Sequence, residues 1–278
     1  MLSESARRSP TGPLRGLIAR YDGYLQAGAP PARHLGLPSP YVTMIVTLGD
    51  RLRLVEHVDR SRPPVSYDSL IGGLHRTPVI VAHDGAQSGV HVRVSPLASR
   101  ALFGVPAGEL AGADLAADEV LGRLAAELHE RVAEAAGWPE RFATLDAVLA
   151  ARLGDGVPPA PVANAWRLLV RSGGAMSISA LANEVGWSER QLTKQFDREI
   201  GMTPKLAARV IRFDGACEAL QAQLASFGRT DIARVAADFG YHDQSHLVRD
   251  FRAFTRLSPS GWLAQEFGNV QANRAVAV

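Results

Sequence analysis

Asp231-Ile232-Ala233-Arg234-Val235-Ala236-Ala237-Asp238-Phe239-Gly240-Tyr241, followed by Leu247, Phe251 and Pro259, repeats an earlier stretch of the chain. That stretch is Ser177-Ile178-Ser179-Ala180-Leu181-Ala182-Asn183-Glu184-Val185-Gly186-Trp187, followed by Leu192, Phe196 and Pro204. The offset is 54 residues up to the glycine and 55 after it, so the second copy has the longer turn. Each matched position has a physical task. Ser177 and Asp231 suit a helix N-cap. Ala182 and Ala236 are small enough for two helices to cross closely. Gly186 and Gly240 supply the backbone angles of a tight inter-helix turn. Ser188 starts a second helix, and Gln191 stands where a capping box needs it. Each copy therefore reads as two short helices joined by a turn.

The second helix of each copy has an inner and an outer face. Leu192/Phe196 and Leu247/Phe251 are four apart, so they share one side and pin the helix to a core. At 100° per residue, Arg190 and Lys194 lie about 160° and 200° from Leu192, opposite the core. Ser245 and Arg249 lie equally far from Leu247. Thr193, Gln244 and His246 flank them. Arg, Lys, Gln and Ser are side chains that hydrogen-bond base edges in the major groove. Two helical hairpins repeated for packing alone are the competing reading, but a paired copy at constant spacing, each ending in apolar-Thr/Ser-Pro, argues against it.

Residues ~163–265 resemble the DNA-binding domain of the AraC/XylS family of bacterial regulators. The most specific tract runs from Gly240-Tyr241 through His242-Asp243-Gln244-Ser245-His246-Leu247-Val248-Arg249-Asp250-Phe251, with Arg252 and Pro259 in place. The resemblance implies seven helices forming two helix-turn-helix units joined by one long helix, here Pro204 to about Leu224. It assigns base contacts to Arg190, Thr193 and Lys194 in the first unit, and to Gln244, Ser245, His246 and Arg249 in the second. Arg198, Arg209, Arg252 and Arg256 become candidates for phosphate. Two departures stand out: Asp197, where a basic residue is usual, and Gly215 inside the joining helix, which costs ~1 kcal/mol of helix propensity.

Outward from this unit, Gly154 to Pro161 is a Gly/Pro-rich linker. The fold class expected is α+β. Residues 1–153 form an N-terminal effector or dimerisation domain, 162–266 an all-α DNA-binding domain, and 267–278 a tail. Within the first, residues 1–16 read as loose and Leu17–Leu25 as a short helix. Tyr41–Leu48, Leu52–His57, Pro78–His83 and Val90–Val94 carry strand signals, making ~41–95 a small β-barrel-like sensor. Leu97–Phe103, a stripe from about 118 to 136, and Phe142–Leu153 read as helices. The stripe at 118–136 is a candidate dimer surface. Arg93-Val94-Ser95-Pro96-Leu97-Ala98, Leu102-Phe103-Gly104-Val105-Pro106 and Glu109-Leu110 resemble the sensor domains of a sub-group of these regulators. Tyr41, Phe103, Trp138 and Phe142 line an apolar pocket or belong to the core.

His75, His83 and His91 fall at intervals of eight. A cupin-like metal-dependent enzyme would need them to converge with a carboxylate; histidines of unrelated orientation are the plainer reading. No catalytic constellation, metal or cofactor is expected. Double-stranded DNA is the partner, with a small-molecule effector, a homodimer and (for an activator) RNA polymerase implied by the family. A helical module binding protein instead of DNA is the remaining alternative. Net charge is only +2, and residues 161–278 hold 14 Lys/Arg against 11 Asp/Glu, so charge alone does not indicate nucleic acid. One cysteine, Cys217, excludes an internal disulfide. No apolar run suggests a membrane span and no h-region a signal peptide, so a cytoplasmic protein is expected.

Overall fold

The computed structural model describes residues 2–266; the expected tail at 267–278 lies outside them. The first 116 residues carry ten strands: β1 (Leu2–Arg8), β2 (Ile18–Ala27), β3 (Ala32–Gly36), β4 (Val42–Thr47), β5 (Leu52–Glu56), β6 (Val65–Tyr67), β7 (Ser69–Gly72), β8 (Val79–His83), β9 (Gln87–Val94) and β10 (Asp114–Ala116). They make two antiparallel sheets, ordered β1-β2-β9-β4-β7-β10 and β3-β8-β5-β6. The expected sheet-rich N-terminal domain is present, its barrel-like character taking the form of two facing sheets that do not close into one barrel.

Alternation sorts the larger sheet's faces. Val90, Val92 and Val94 of β9 are buried, as are Val42, Met44 and Val46 of β4. They meet helices α1 (Ser99–Phe103), α2 (Ala107–Leu110), α3 (Ala117–Leu121), α4 (Arg123–Glu134) and α5 (Trp138–Arg152) in one core. The residues between them, such as Thr43, Ile45, His91 and Arg93, face a cavity instead.

Two N-terminal expectations are corrected. Residues 18–27 are a strand because a bulge between Ile18 and Arg20 puts both Ile18 and Tyr21 inward. Three-residue spacing of buried residues imitates a helix. Residues 2–8 are not loose, since they pair with β2 along their length. Asp146, buried on α5, ties them down: it accepts from the Arg8 guanidinium, from Thr11 Oγ1 at 2.6 Å and from Tyr21 OH at 2.8 Å. The expected helix at 118–136 breaks at Gly122, whose φ is +60°. Its apolar stripe, Ala125, Leu128 and Val132, is buried inside the chain, the alternative to burial in a dimer. Phe103 and Phe142 are core, so the four aromatics form no pocket.

Beyond the linker lie α6 (Ala160–Arg171), α7 (Ile178–Glu184), α8 (Glu189–Ile200), α9 (Pro204–Phe227), α10 (Ile232–Asp238) and α11 (Gln244–Thr255), and a last helical run is described over 259–266. The linker is not free: Gly154 N–H donates to Ala101 O at 2.9 Å. Gly215 sits inside α9 because the Phe239 ring occupies the space of a side chain; a Cβ there would lie 2.4 Å from it. Gly215→Ala normally gains helix propensity. Here it is expected to destabilise the protein by about 1–3 kcal/mol through overpacking. A thermal melt that rises instead would contradict this packing.

Candidate nucleic-acid interface

The two helix pairs are built alike, down to their caps. Ser177, Ser188 and Asp231 accept from the backbone N–H three residues on, as does Asp243, the N-cap of α11. The reciprocal half of the capping box, from the Gln191 side chain, is not made among the described residues. Gly186 and Gly240 have φ of +70° and +69°, the left-handed turn that glycine favours. Trp187 N–H donates to Ala182 O, and Tyr241 N–H to Ala236 O, closing each turn in the same way.

On α8, Leu192, Phe196 and Ile200 are buried while Arg190, Lys194 and Arg198 are exposed. On α11, Leu247, Phe251 and Phe254 are buried while Gln244, Ser245, Arg249 and Arg252 are exposed. The exposed arginines and the lysine take no part in an ion pair among the described residues. Each keeps its full charge for a partner. Thr193 is half-buried at the edge of this face. His246 is half-buried too, edge-on to the Tyr241 ring with centroids 5.1 Å apart. Its Nδ1 accepts from His242 N–H at 3.4 Å, so in the neutral ring Nε2 carries the proton.

Two phosphate candidates are differently placed. Arg209 gives both Nε and Nη2 to Asp250 Oδ1, at 3.2 and 2.7 Å, and lies over the Phe254 ring. Asp250 is 3% exposed, so the half-buried Arg209 neutralises a buried carboxylate. Arg256 lies 3.9 Å from Glu56 on β5, at the boundary with the sheet region. It is also the one non-glycine residue with positive φ among those described, matching Gly201 in the first copy.

The N-terminal half grips this unit at points that periodicity alone did not reveal. α2 abuts the C-terminal end of α8 so closely that a Cβ on Gly108 would lie 2.1 Å from the Arg198 carbonyl oxygen. Arg100 holds Glu199 with two bonds of 2.9 and 2.7 Å. Arg20 and Arg93 on the sheet meet Asp214 and Glu218 on α9, with Arg20 to Glu218 at 2.7 Å. A signal for the Arg100 and Arg209 pairs was present. Glu199 and Asp250 fall on the core side of their helices, and a buried carboxylate needs a cation.

Between the two sheets and α9 lies a cavity of about 750 Å³. His75 and His91 line it, but His83 does not; it stacks on His34 with Nε2 atoms 3.0 Å apart. The three histidines have separate partners, as the plainer reading of unrelated orientations expected.

Residues 181–265 match the family model of a helix-turn-helix domain. No curated protein is similar enough to match. Among solved structures, ToxT from Vibrio cholerae O395 has a TM-score of 0.51 at 11% identity, covering 90% of this chain and 98% of its own. ToxT from Vibrio cholerae strain SCE256, solved with an unsaturated fatty acid bound, has a TM-score of 0.51 at 10% identity, covering 93% and 97%. At such identities the likeness shows a shared fold.

Arg209→Ala is expected to destabilise the folded protein by about 3 kcal/mol, because it strands the Asp250 carboxylate. Arg252→Ala should stay within about 0.5 kcal/mol. Denaturant melts without DNA compare the two, and equal effects would remove the distinction. Desolvation by burial, only partly offset by Arg93, pushes Asp214 up to about 6. Above its unfolded value, the folded carboxyl holds its proton longer, so stability falls as pH rises from about 4 to about 6. Asp214→Asn should therefore raise Tm at pH 7.5 and change it little below pH 4.

Proposed function

We infer that this chain, whose residues 181–265 form an AraC-type helix-turn-helix domain, is a DNA-binding transcription regulator of the AraC/XylS family that reads sequence with α8 and α11 in adjacent major grooves. The observation carrying the sequence-specific reading is the matched pair of exposed, uncompensated basic faces on two helices whose opposite faces are buried. Arg190, Lys194 and Arg249 are the principal base-reading residues, supported by Thr193, Gln244, Ser245 and His246. Arg198 and Arg252 are the phosphate contacts. Two recognition helices on one rigid connector suit half-sites about one helical turn, ~34 Å, apart.

The cavity between the sheets is the site proposed for a small-molecule effector. Its size is that of a ligand pocket, and α9, the connector of both reading units, forms part of its wall. A ligand there touches the element on which both recognition helices rest.

Site selection from random DNA followed by footprinting tests the reading, with protection of two patches one turn apart expected. A single short patch would contradict it. Against the selected site, Arg190→Ala and Arg249→Ala are each expected to cost ~1–3 kcal/mol, about 5- to 150-fold, and to relax preference at one base pair. Arg190→Ala should be the more damaging. Arg252→Ala should weaken all sequences alike and lower the salt slope by about one. Wild-type binding by both Arg190→Ala and Arg249→Ala would move the groove-facing side elsewhere.

A further inference from the structure

We propose that the cavity takes an uncharged, mostly apolar molecule bearing a hydroxyl group, such as an alkylphenol or a sterol-like alcohol, and selects against anions. The proposal deepens the effector reading above and rests on it.

The wall carries three guanidinium groups, which at first sight invite an anion. Each faces a carboxylate, although the buried Nε of Arg93 makes no hydrogen bond among the described residues and stays open to a neutral acceptor. Arg7 Nε lies 2.7 Å from Asp22, and Arg20 lies 2.8 Å from Asp22 and 2.7 Å from Glu218. Arg93 lies 3.3 Å from both Asp22 and Glu218 and 3.6 Å from Asp214. Three cations thus meet three carboxylates in one connected network at one end of the cavity. An anion entering there would lose its hydration and meet as many negative charges as positive ones. A cation would meet the mirror image. Neither sign is repaid for desolvation.

The remaining polar groups suit a neutral ligand. His75 Nδ1 lies 2.7 Å from the Thr77 carbonyl oxygen, so that nitrogen carries the proton and donates. Burial holds the ring neutral by lowering its pKa, which leaves Nε2 as a bare acceptor for a ligand O–H. His91, pushed down to about 4 by burial and the nearby Arg93, is neutral as well. Its Nε2 lies 3.3 Å from Thr43 Oγ1. Trp262 also lines the cavity, and its buried indole N–H has no partner among the described residues. The opposite wall is aliphatic, built from Ile45, Leu52, Leu54, Leu70, Val79 and Val81. An apolar body fits that wall, and hydroxyl chemistry fits the histidines.

The test uses the full-length protein and a matched probe pair, 4-octylphenol and 4-octylbenzoate, alike in shape and different in charge at pH 7.5. Calorimetric titration below their solubility limits is expected to show the phenol binding at least tenfold tighter. His75→Phe should weaken the phenol about tenfold. Glu218→Gln, which frees part of the arginine charge, should narrow the gap between the probes by improving the benzoate. Equal binding of the two probes, or a preference for benzoate, overturns the neutral class while leaving the cavity a ligand site. Phenol binding indifferent to His75→Phe overturns the placement. If neither probe binds, the proposal and the effector reading fall together, while DNA binding, measured separately by titration, stands or falls on its own.

Discussion

The long helix α9 has to satisfy three neighbours at once, and that constraint organises the molecule. At 24 residues it is about 36 Å long. Val210, Phe213, Ala216 and Leu220 are buried in the helical core, where Phe213 meets both Phe251 and Phe254 of α11. Asp214 and Glu218, on another side, reach the arginines of the large sheet. Gly215 leaves room for Phe239. A helix buried on several sides cannot show a single clean apolar stripe. Its position fixes where α8 and α11 stand and closes one wall of the cavity.

The arginines divide by what faces them. Arg100 and Arg209 neutralise Glu199 and Asp250, two carboxylates almost fully removed from water. An isolated buried charge is costly, so these arginines are committed to structure. Arg190, Lys194, Arg249 and Arg252 are exposed and make no ion pair among the described residues, so they are open to another molecule. The same residue type thus serves opposite ends according to the burial of its neighbour. The N-terminal half takes part in this division, since Arg100 and the close approach of Gly108 fasten the C-terminal end of α8.

The large sheet works on both faces. Its valine rows meet the helices, while the alternate row carries Asp22, Thr43, His91 and Arg93 into the cavity. Charges gathered on that row are balanced by α9, so the same ion pairs that join the halves also neutralise the cavity wall. Coupling between ligand and DNA-binding helices, on the reading proposed above, needs no distant relay. The groups lining the cavity are themselves the fasteners of α9.

How much was legible in the sequence follows from the range of each interaction. The paired helical units, their turns at Gly186 and Gly240, their caps and their buried faces are set by contacts within a few residues, and periodicity reports those directly. Strands β4, β5, β8 and β9 were legible for the same reason. β2 was not, because a bulge near Arg20 shifted its phase toward a helical spacing. β1 is polar and gains order only through β2 and the distant Asp146. The pairing of Arg209 with Asp250 and the approach of Arg256 to Glu56 join residues 41 and 200 positions apart, beyond the reach of local spacing. Local spacing alone set the two helix-turn-helix units and which side of each second helix is exposed. Only the tertiary structure decided which basic residues are free and where a cavity opens between the sheets and α9, because electrostatic pairing and enclosed volume arise between segments far apart in the chain.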